Sequence, residues 1–169
     1  MDTQEELLVR RASQGDSEAF AQLYTMVYKD LYRFALYTLG NPEDAEDMVS
    51  DTVADAYSSI RKLRSASAFR PWIFKILTNK CKMQLKRYTN RTLELNTEIH
   101  IPDRNYAEIQ DVRNAFAKLN HNERLILSMT IFAGYNNEEA AKLLNMKAGT
   151  LRSIKSRAMD KMEADLHII

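Results

Sequence analysis

Cysteine, glycine and proline are all scarce in this chain, and each shortage excludes a class of structure. The one cysteine, Cys81, rules out an intrachain disulfide and favours a reducing compartment. No apolar run reaches the length of a membrane span, and residues 1–11 lack the apolar core of a signal peptide. We therefore expect a cytoplasmic protein without membrane insertion.

The four glycines and three prolines lie where helices would begin, end or turn, and this distribution predicts an all-α fold. Between them, apolar residues recur every three to four positions, which is the period of a buried helix face. A 45% apolar content is enough for a core without disulfides or metal. Helices are predicted over residues 5–14, 17–38, 42–60, 69–88, 108–119, 122–133, 136–144 and 148–166.

The helical period fails over residues 89–107, where polar residues dominate and Pro102 interrupts the chain. This segment is predicted to be a flexible linker. It would join two small helical domains, residues 1–88 and 108–169.

The charges are segregated along the chain, although the net charge is only +1. Residues 34–60 hold acids and no basic residue. On the predicted helix, Asp44, Asp47, Asp51 and Asp55 line the face opposite the apolar residues. The dipole at the helix N-terminus favours Asp44 but does not reach Asp51. An ordinary solvated face would show this stripe, and so would a docking surface for a basic protein.

Residues 56–93 contain no acid and carry a run of basic residues. On the predicted helix over residues 69–88, one narrow sector opposite the apolar face holds Lys75, Asn79, Lys82 and Lys86, with Trp72 at its border. Arg61 and Arg64 lie in the preceding polar segment, residues 61–68. Because cations with a neighbouring aromatic ring suit phosphates and unstacked bases, the pattern predicts a nucleic-acid surface. Trp72 suits the core equally well.

The C-terminal part predicts a helix-turn-helix. Asn136 and Glu139 have the spacing of a capping box, and Asn145 tolerates the left-handed conformation of a tight turn. Polar side chains of the second helix would lie on one face, where they can reach base edges and phosphates: Arg152, Ser153, Ser156 and Arg157. A purely structural helical hairpin is the alternative.

Enzymatic function is not expected. The chain lacks a glycine-rich phosphate loop and a cysteine cluster, and its histidines, His100, His121 and His167, are far apart in sequence. The sequence therefore indicates no catalytic residues, no metal site and no cofactor.

Three segments in this order resemble the extracytoplasmic-function sigma factors, the minimal class of bacterial RNA polymerase sigma subunits. They are residues 32–49, which run from Tyr32-Arg33-Phe34-Ala35 into the acidic helix, residues 69–79, which begin Phe69-Arg70-Pro71-Trp72, and residues 134–153. The resemblance implies region 2 and region 4 helical domains.

The same resemblance implies partners and site residues. Core RNA polymerase would be bound through the clamp of its beta prime subunit and the flap of its beta subunit, with Asp44, Glu46, Asp47 and Asp51 at the clamp. The −10 promoter element would meet Arg61, Arg64, Trp72, Lys75, Asn79, Lys82 and Lys86. The −35 element would meet Thr150, Arg152, Ser153, Ser156 and Arg157. Sigma factors of this class commonly have an anti-sigma factor.

The chain departs from the family pattern at three positions. Met83 stands where aspartate is usual, Asn120 replaces a frequent proline, and Ile154 replaces a frequent arginine. The promoter sequence therefore cannot be transferred from a relative. The alternative function is that of a helix-turn-helix regulator that binds duplex DNA without polymerase, but it leaves the acidic stripe and the acid-free segment unexplained.

Overall fold

The structure, a computed structural model, describes residues 3–91 and 106–166, which form helices joined by short turns. The first set is α1 (Thr3–Ser13), α2 (Ser17–Leu39), α3 (Pro42–Ser59) and α4 (Phe69–Asn90), with 3₁₀ turns at Ile60–Lys62 and Ala66–Ala68 between α3 and α4. The second set is α5 (Tyr106–Ala117), α6 (His121–Ile131), α7 (Asn137–Leu143) and α8 (Ala148–Leu166). The predicted all-α fold is confirmed.

The predicted linker lies mostly outside the described residues. Its first two positions belong to the last turn of α4, and α5 already begins at Tyr106. The two domain boundaries therefore stay a prediction, and we refer below to α1–α4 and α5–α8 as the N-terminal and C-terminal units.

Local capping sets the turns of the N-terminal unit. The Asp16 carboxylate accepts a hydrogen bond of 3.0 Å from the backbone N–H of Ala19 and begins α2. Gly40, at φ 70°, ends α2 in the left-handed conformation. The Asn41 side chain then accepts from the Asp44 backbone N–H at 3.1 Å, ahead of Pro42 in the first turn of α3. These caps let α3 fold back against α2.

The core of the N-terminal unit is aromatic and closes around α2. Phe34, Phe69 and Phe74 are fully buried. The rings of Phe34 and Phe74 meet edge to face with centroids 6.0 Å apart. The same core holds Cys81, whose thiol pKa is raised by burial, so this cysteine is a small apolar core residue.

A buried arginine of the C-terminal unit caps the end of α5. Arg124 of α6 donates hydrogen bonds to the carbonyl oxygens of Phe116, Leu119 and Ala117, at 3.0, 3.0 and 2.7 Å. The last carbonyls of a helix have no partner within it, so this guanidinium satisfies the end of α5. Asn120 forms a capping box with Glu123 at the start of α6.

Within the described residues, the two units meet at a junction formed mainly by the C-terminal end of α2, with further contacts from α4. Here Leu36, Tyr37, Thr38 and Leu39 are all buried, so α2 has no solvated face at this end. The Tyr37 ring lies between Phe116 of α5, at 4.9 Å, and the ring of Phe132, just after α6, at 5.2 Å. A continuous cluster of buried residues runs from α1 through α2 and α4 into α6, α7 and α8.

Candidate nucleic-acid and protein interfaces

The acidic surface lies on the outer side of α3, and its members have different surroundings. Glu46, Asp47 and Asp51 are exposed. Asp44 is half-buried and accepts a hydrogen bond from the Tyr88 hydroxyl of α4. Burial, and then that hydrogen bond, raise the pKa of Tyr88 well above its usual value. Asp44 therefore also joins α3 to α4.

Asp55, at the end of the predicted stripe, forms an ion pair of 2.8 Å with Lys80 of α4. No ion-pair partner is found for Glu46, Asp47 or Asp51 within residues 3–91 and 106–166. The part of the stripe that is free to bind another protein is thus its middle.

The basic surface follows α4. Lys75, Asn79 and Lys86 are exposed and Lys82 is half-buried, and all four lie on one side of the helix, as the spacing predicted. Trp72 is half-buried, with its ring 6.2 Å from that of Phe69. One part of the indole therefore contacts the core while another part reaches the surface, which combines the two alternatives left open for this residue.

Arg61 and Arg64 are exposed in the segment between α3 and α4. Two 3₁₀ turns in this segment flank Leu63, Arg64 and Ser65. The hydroxyls of Ser65 and Ser67 are hydrogen-bonded at 2.8 Å. It rests against α1, which the sequence did not indicate. Between them lies an open cavity of about 450 Å³.

The helix-turn-helix consists of α7, a tight turn and α8. The Asn136–Glu139 capping box is present, and Asn145 has φ 54°, both as predicted. The polar face of α8 is exposed and lines a shallow surface cavity of about 770 Å³. Its residues include Arg152, Ser153, Ser156 and Arg157, and Thr150 is exposed in the first turn of the helix.

Two hydrogen bonds orient this face. The Ser153 hydroxyl donates to the Gly149 carbonyl at 3.1 Å, and Arg157 Nε donates to the Ser153 carbonyl at 3.3 Å. The other guanidinium nitrogens of Arg157 stay available for an acceptor. Ile154 is half-buried against the core.

The junction between the units brings together residues that sequence reasoning did not connect. The Tyr135 hydroxyl donates to the Pro71 carbonyl at 3.3 Å, and burial raises the pKa of Tyr135 to about 12. A narrow groove of about 170 Å³ lies between Lys82 and Lys86 of α4 and Leu144 and Met146 of the C-terminal unit. Part of the basic surface therefore faces the other unit.

Within the described part of the chain, no cluster of histidine, cysteine, aspartate or glutamate has the arrangement of a metal site. None of the helices described is long and apolar enough to cross a membrane. An all-α chain that carries a helix-turn-helix beside separate acidic and basic surfaces has the architecture of a transcription factor.

Comparison with known proteins narrows this class. Residues 23–91 match sigma-70 region 2, and residues 115–164 match sigma-70 region 4. The RNA polymerase sigma factor NccH of Alcaligenes xylosoxydans is 31% identical over 95% of this chain and 93% of its own length. SigM of Mycobacterium tuberculosis, an ECF sigma factor, is 28% identical over 88% of this chain and 77% of its own. The chain belongs to the extracytoplasmic-function group of sigma-70 family RNA polymerase sigma factors.

Solved structures share the fold. The sigma factor RpoE of Bartonella quintana, solved with the anti-sigma factor NepR, superposes with a TM-score of 0.73 at 24% identity, covering 88% of this chain and 97% of that one. CnrH, solved with the cytosolic domain of CnrY, has a TM-score of 0.67 at 23% identity and covers 97% of each chain.

Proposed function

We propose that this chain directs core RNA polymerase to promoters and opens their DNA, with a separate surface for each partner. The observation that carries the proposal is the placement of an exposed acidic surface and an exposed basic surface on two helices of one family fold. Opposite charges on separate helices allow a basic protein and a nucleic acid to be bound at once.

The polymerase contact is assigned to Glu46, Asp47 and Asp51, with Asp44 contributing from a half-buried position. Their charge would speed the encounter with the basic clamp of the beta prime subunit and set its register. The beta flap would meet the C-terminal unit, as the resemblance to the family implies.

The −10 element is assigned to α4 and the segment before it: Arg61, Arg64, Trp72, Lys75, Asn79, Lys82 and Lys86. The cations would hold phosphates, and the exposed part of Trp72 offers a stacking surface for an unpaired base. The −35 element is assigned to Thr150, Arg152, Ser153, Ser156 and Arg157 of α8, which would enter the major groove of duplex DNA.

An anti-sigma factor is a further proposed partner. RpoE was solved with NepR, and CnrH with part of CnrY. This chain shares their fold, which supports a similar interaction here. We also propose that the chain works in the cytoplasm and has no catalytic activity of its own, because its relatives are sigma factors.

The test is run-off transcription with purified core polymerase on genomic DNA, followed by mapping of the start sites. We expect a discrete set of starts that require this chain and share upstream sequence. Absence of any start that depends on the chain would refute the proposal. Specific binding to duplex DNA without polymerase would instead identify an ordinary helix-turn-helix regulator.

A further inference from the structure

The start of α6 lines an open cavity of about 440 Å³ where the two units meet. Its described lining consists of Thr89, from the last turn of α4, and Leu119, Asn120, His121, Asn122 and Arg124, from the start of α6 and the residue before its cap. The volume falls in the usual range for small-molecule sites. No acidic residue is among these lining residues. The cavity therefore favours an anion over a cation.

Arg124 brings to this cavity a positive charge that no acid offsets. The residue is 6% exposed, and its Nε and Nη2 donate to carbonyl oxygens at the end of α5. Its Nη1 is buried and has no hydrogen-bond partner among the described residues. Burial lowers the pKa of Arg124, and no ion pair of this residue is found within residues 3–91 and 106–166. Because an unpaired buried charge is costly, an anion at Nη1 would stabilise this arrangement.

The first turn of α6 presents backbone donors to the same cavity. The Asn120 side chain accepts from the N–H of Glu123 at 2.9 Å, whereas the N–H groups of His121 and Asn122 have no partner among the described residues. The Glu123 carboxylate is itself bound by Lys161 at 2.7 Å. The dipole of this 11-residue helix adds positive partial charge at its start. Phosphate suits such donors, because its oxygens accept from backbone N–H groups and a guanidinium together.

The groove of about 170 Å³ beside α4 continues this cavity, since both spaces are lined by Thr89, His121 and Asn122. Lys82 and Lys86 line the α4 side of the groove and add positive charge. The other lining residues of the groove are apolar: Leu85, Leu125, Leu144 and Met146. A phosphate in the cavity could thus carry a carbon skeleton that lies against these side chains.

We propose that the cavity at the start of α6 binds the phosphate group of a small molecule, with Arg124 and the N–H groups of His121 and Asn122 as donors. The shared chemistry is the phosphate, either free or carried by a small organic molecule. Because Thr89 comes from α4 and the donors come from α6, the ligand would stabilise the contact between the two units. The site needs neither polymerase nor promoter, so it goes beyond the proposed function.

Amide NMR of the isotope-labelled full chain locates the ligand. The probes are inorganic phosphate, AMP and adenosine, each added at constant ionic strength so that charge screening does not change. We expect phosphate and AMP to shift the amide signals of His121 and Asn122 to saturation, with a Kd on the order of 1 mM or below. Adenosine should leave both signals in place. Tighter binding of AMP would assign the site to an organic phosphate, and equal binding to free phosphate.

Two variants of Asn122 change the charge of the site and leave Arg124 in place, because loss of Arg124 would also uncap α5. Asn122→Glu should weaken phosphate binding by on the order of tenfold, and an acid in the first turn of a helix is favourable for folding. Asn122→Lys should strengthen binding by about threefold. The matched control is Ser17→Glu, which adds the same charge in the first turn of α2 and should keep the wild-type affinity.

Three results would refute the site. Phosphate at about 10 mM that shifts neither amide would place the Kd above the millimolar range. Equal weakening by Ser17→Glu and Asn122→Glu would show that net charge alone controls binding. A short single-stranded DNA that shifts the same amides at a lower concentration than AMP does would assign the cavity to the nucleic-acid surface instead. None of these results bears on whether the chain directs start sites, which the run-off assay tests separately.

Discussion

Tyr37 is the residue whose removal should separate the two units most clearly. Tyr37 is 8% exposed, and its ring contacts Phe116 and Phe132, both in the C-terminal unit. Burial of a tyrosine removes about 150–250 Å² from water, worth about 4–6 kcal/mol at 25 cal/mol per Å². Structure retained in the denatured chain reduces this to about 3 kcal/mol. The two ring contacts add about 1 kcal/mol each at most, so Tyr37→Ala should cost about 4 kcal/mol.

Urea unfolding followed by two probes would measure this loss. Trp72 is the only tryptophan and reports on α4 by fluorescence, whereas circular dichroism reports on all helices. In the wild type the two transitions should coincide, because two buried clusters span both units, and Tyr37 belongs to one of them. With a denaturant slope of about 2 kcal/mol/M, Tyr37→Ala should lower the midpoint by about 2 M and move the dichroism transition ahead of the fluorescence transition.

Two control variants define what would refute this reasoning. Tyr37→Phe keeps both ring contacts and should change the free energy of unfolding by less than about 1 kcal/mol. Tyr57→Ala removes a tyrosine that is 54% exposed and should cost much less than Tyr37→Ala. A loss below about 0.5 kcal/mol for Tyr37→Ala, with coincident transitions, would show that the junction does not stabilise the protein.

Other predictions concern charge. The double variant Asp47→Lys with Asp51→Lys should abolish co-purification with core polymerase at unchanged helix content. The control Glu18→Lys, a charge reversal at an exposed residue of α2, should co-purify normally. Normal co-purification of the double variant would contradict the assignment of Asp47 and Asp51 to the polymerase contact. Lys75→Ala should reduce the slope of log affinity for promoter DNA against log salt concentration by about 0.9. Lys80→Ala, which loses only the ion pair with Asp55, should leave this slope unchanged. A Lys75→Ala slope equal to that of the wild type would contradict the phosphate role of α4. Burial and the nearby Arg124 lower the pKa of His121, so the unfolded chain binds the proton better than the folded chain. The free energy of unfolding should therefore fall as pH drops through about 6.5. In His121→Asn, the urea midpoint should change less between about pH 7.5 and about 5.5 than it does in the wild type.

Helix positions were predictable because their determinants are local. Asp16, Gly40 and Asn41 act on residues within four positions of themselves, and the capping box of Asn136 closes on Glu139. The second capping box, Asn120 with Glu123, has the same spacing and could have been found in the same way.

The junction between the units and the contact of residues 61–68 with α1 could not be predicted, because they depend on pairs of residues far apart in the chain. Nothing near Tyr37 indicates that its ring will meet Phe116. One signal was available: residues 34–39 are apolar on almost every side of the helix, which is typical of a helix buried all round. The contact between Ser13 and Ile60, across forty-seven positions, had no such signal.

The acids of α3 show how the structure divides a pattern that looks uniform in the sequence. Asp44 bonds Tyr88 and Asp55 pairs with Lys80, so the two ends of the stripe have roles in joining α3 to α4. Asp47 and Asp51 are exposed and one helical turn apart, where like charges destabilise a helix by about 0.2–0.5 kcal/mol. Among the described residues, no ion pair of Asp47 or Asp51 offsets this repulsion. Like charges that destabilise the helix without a structural role are expected on a surface that binds a basic partner. The polymerase assignment is therefore tested most directly at Asp47 and Asp51.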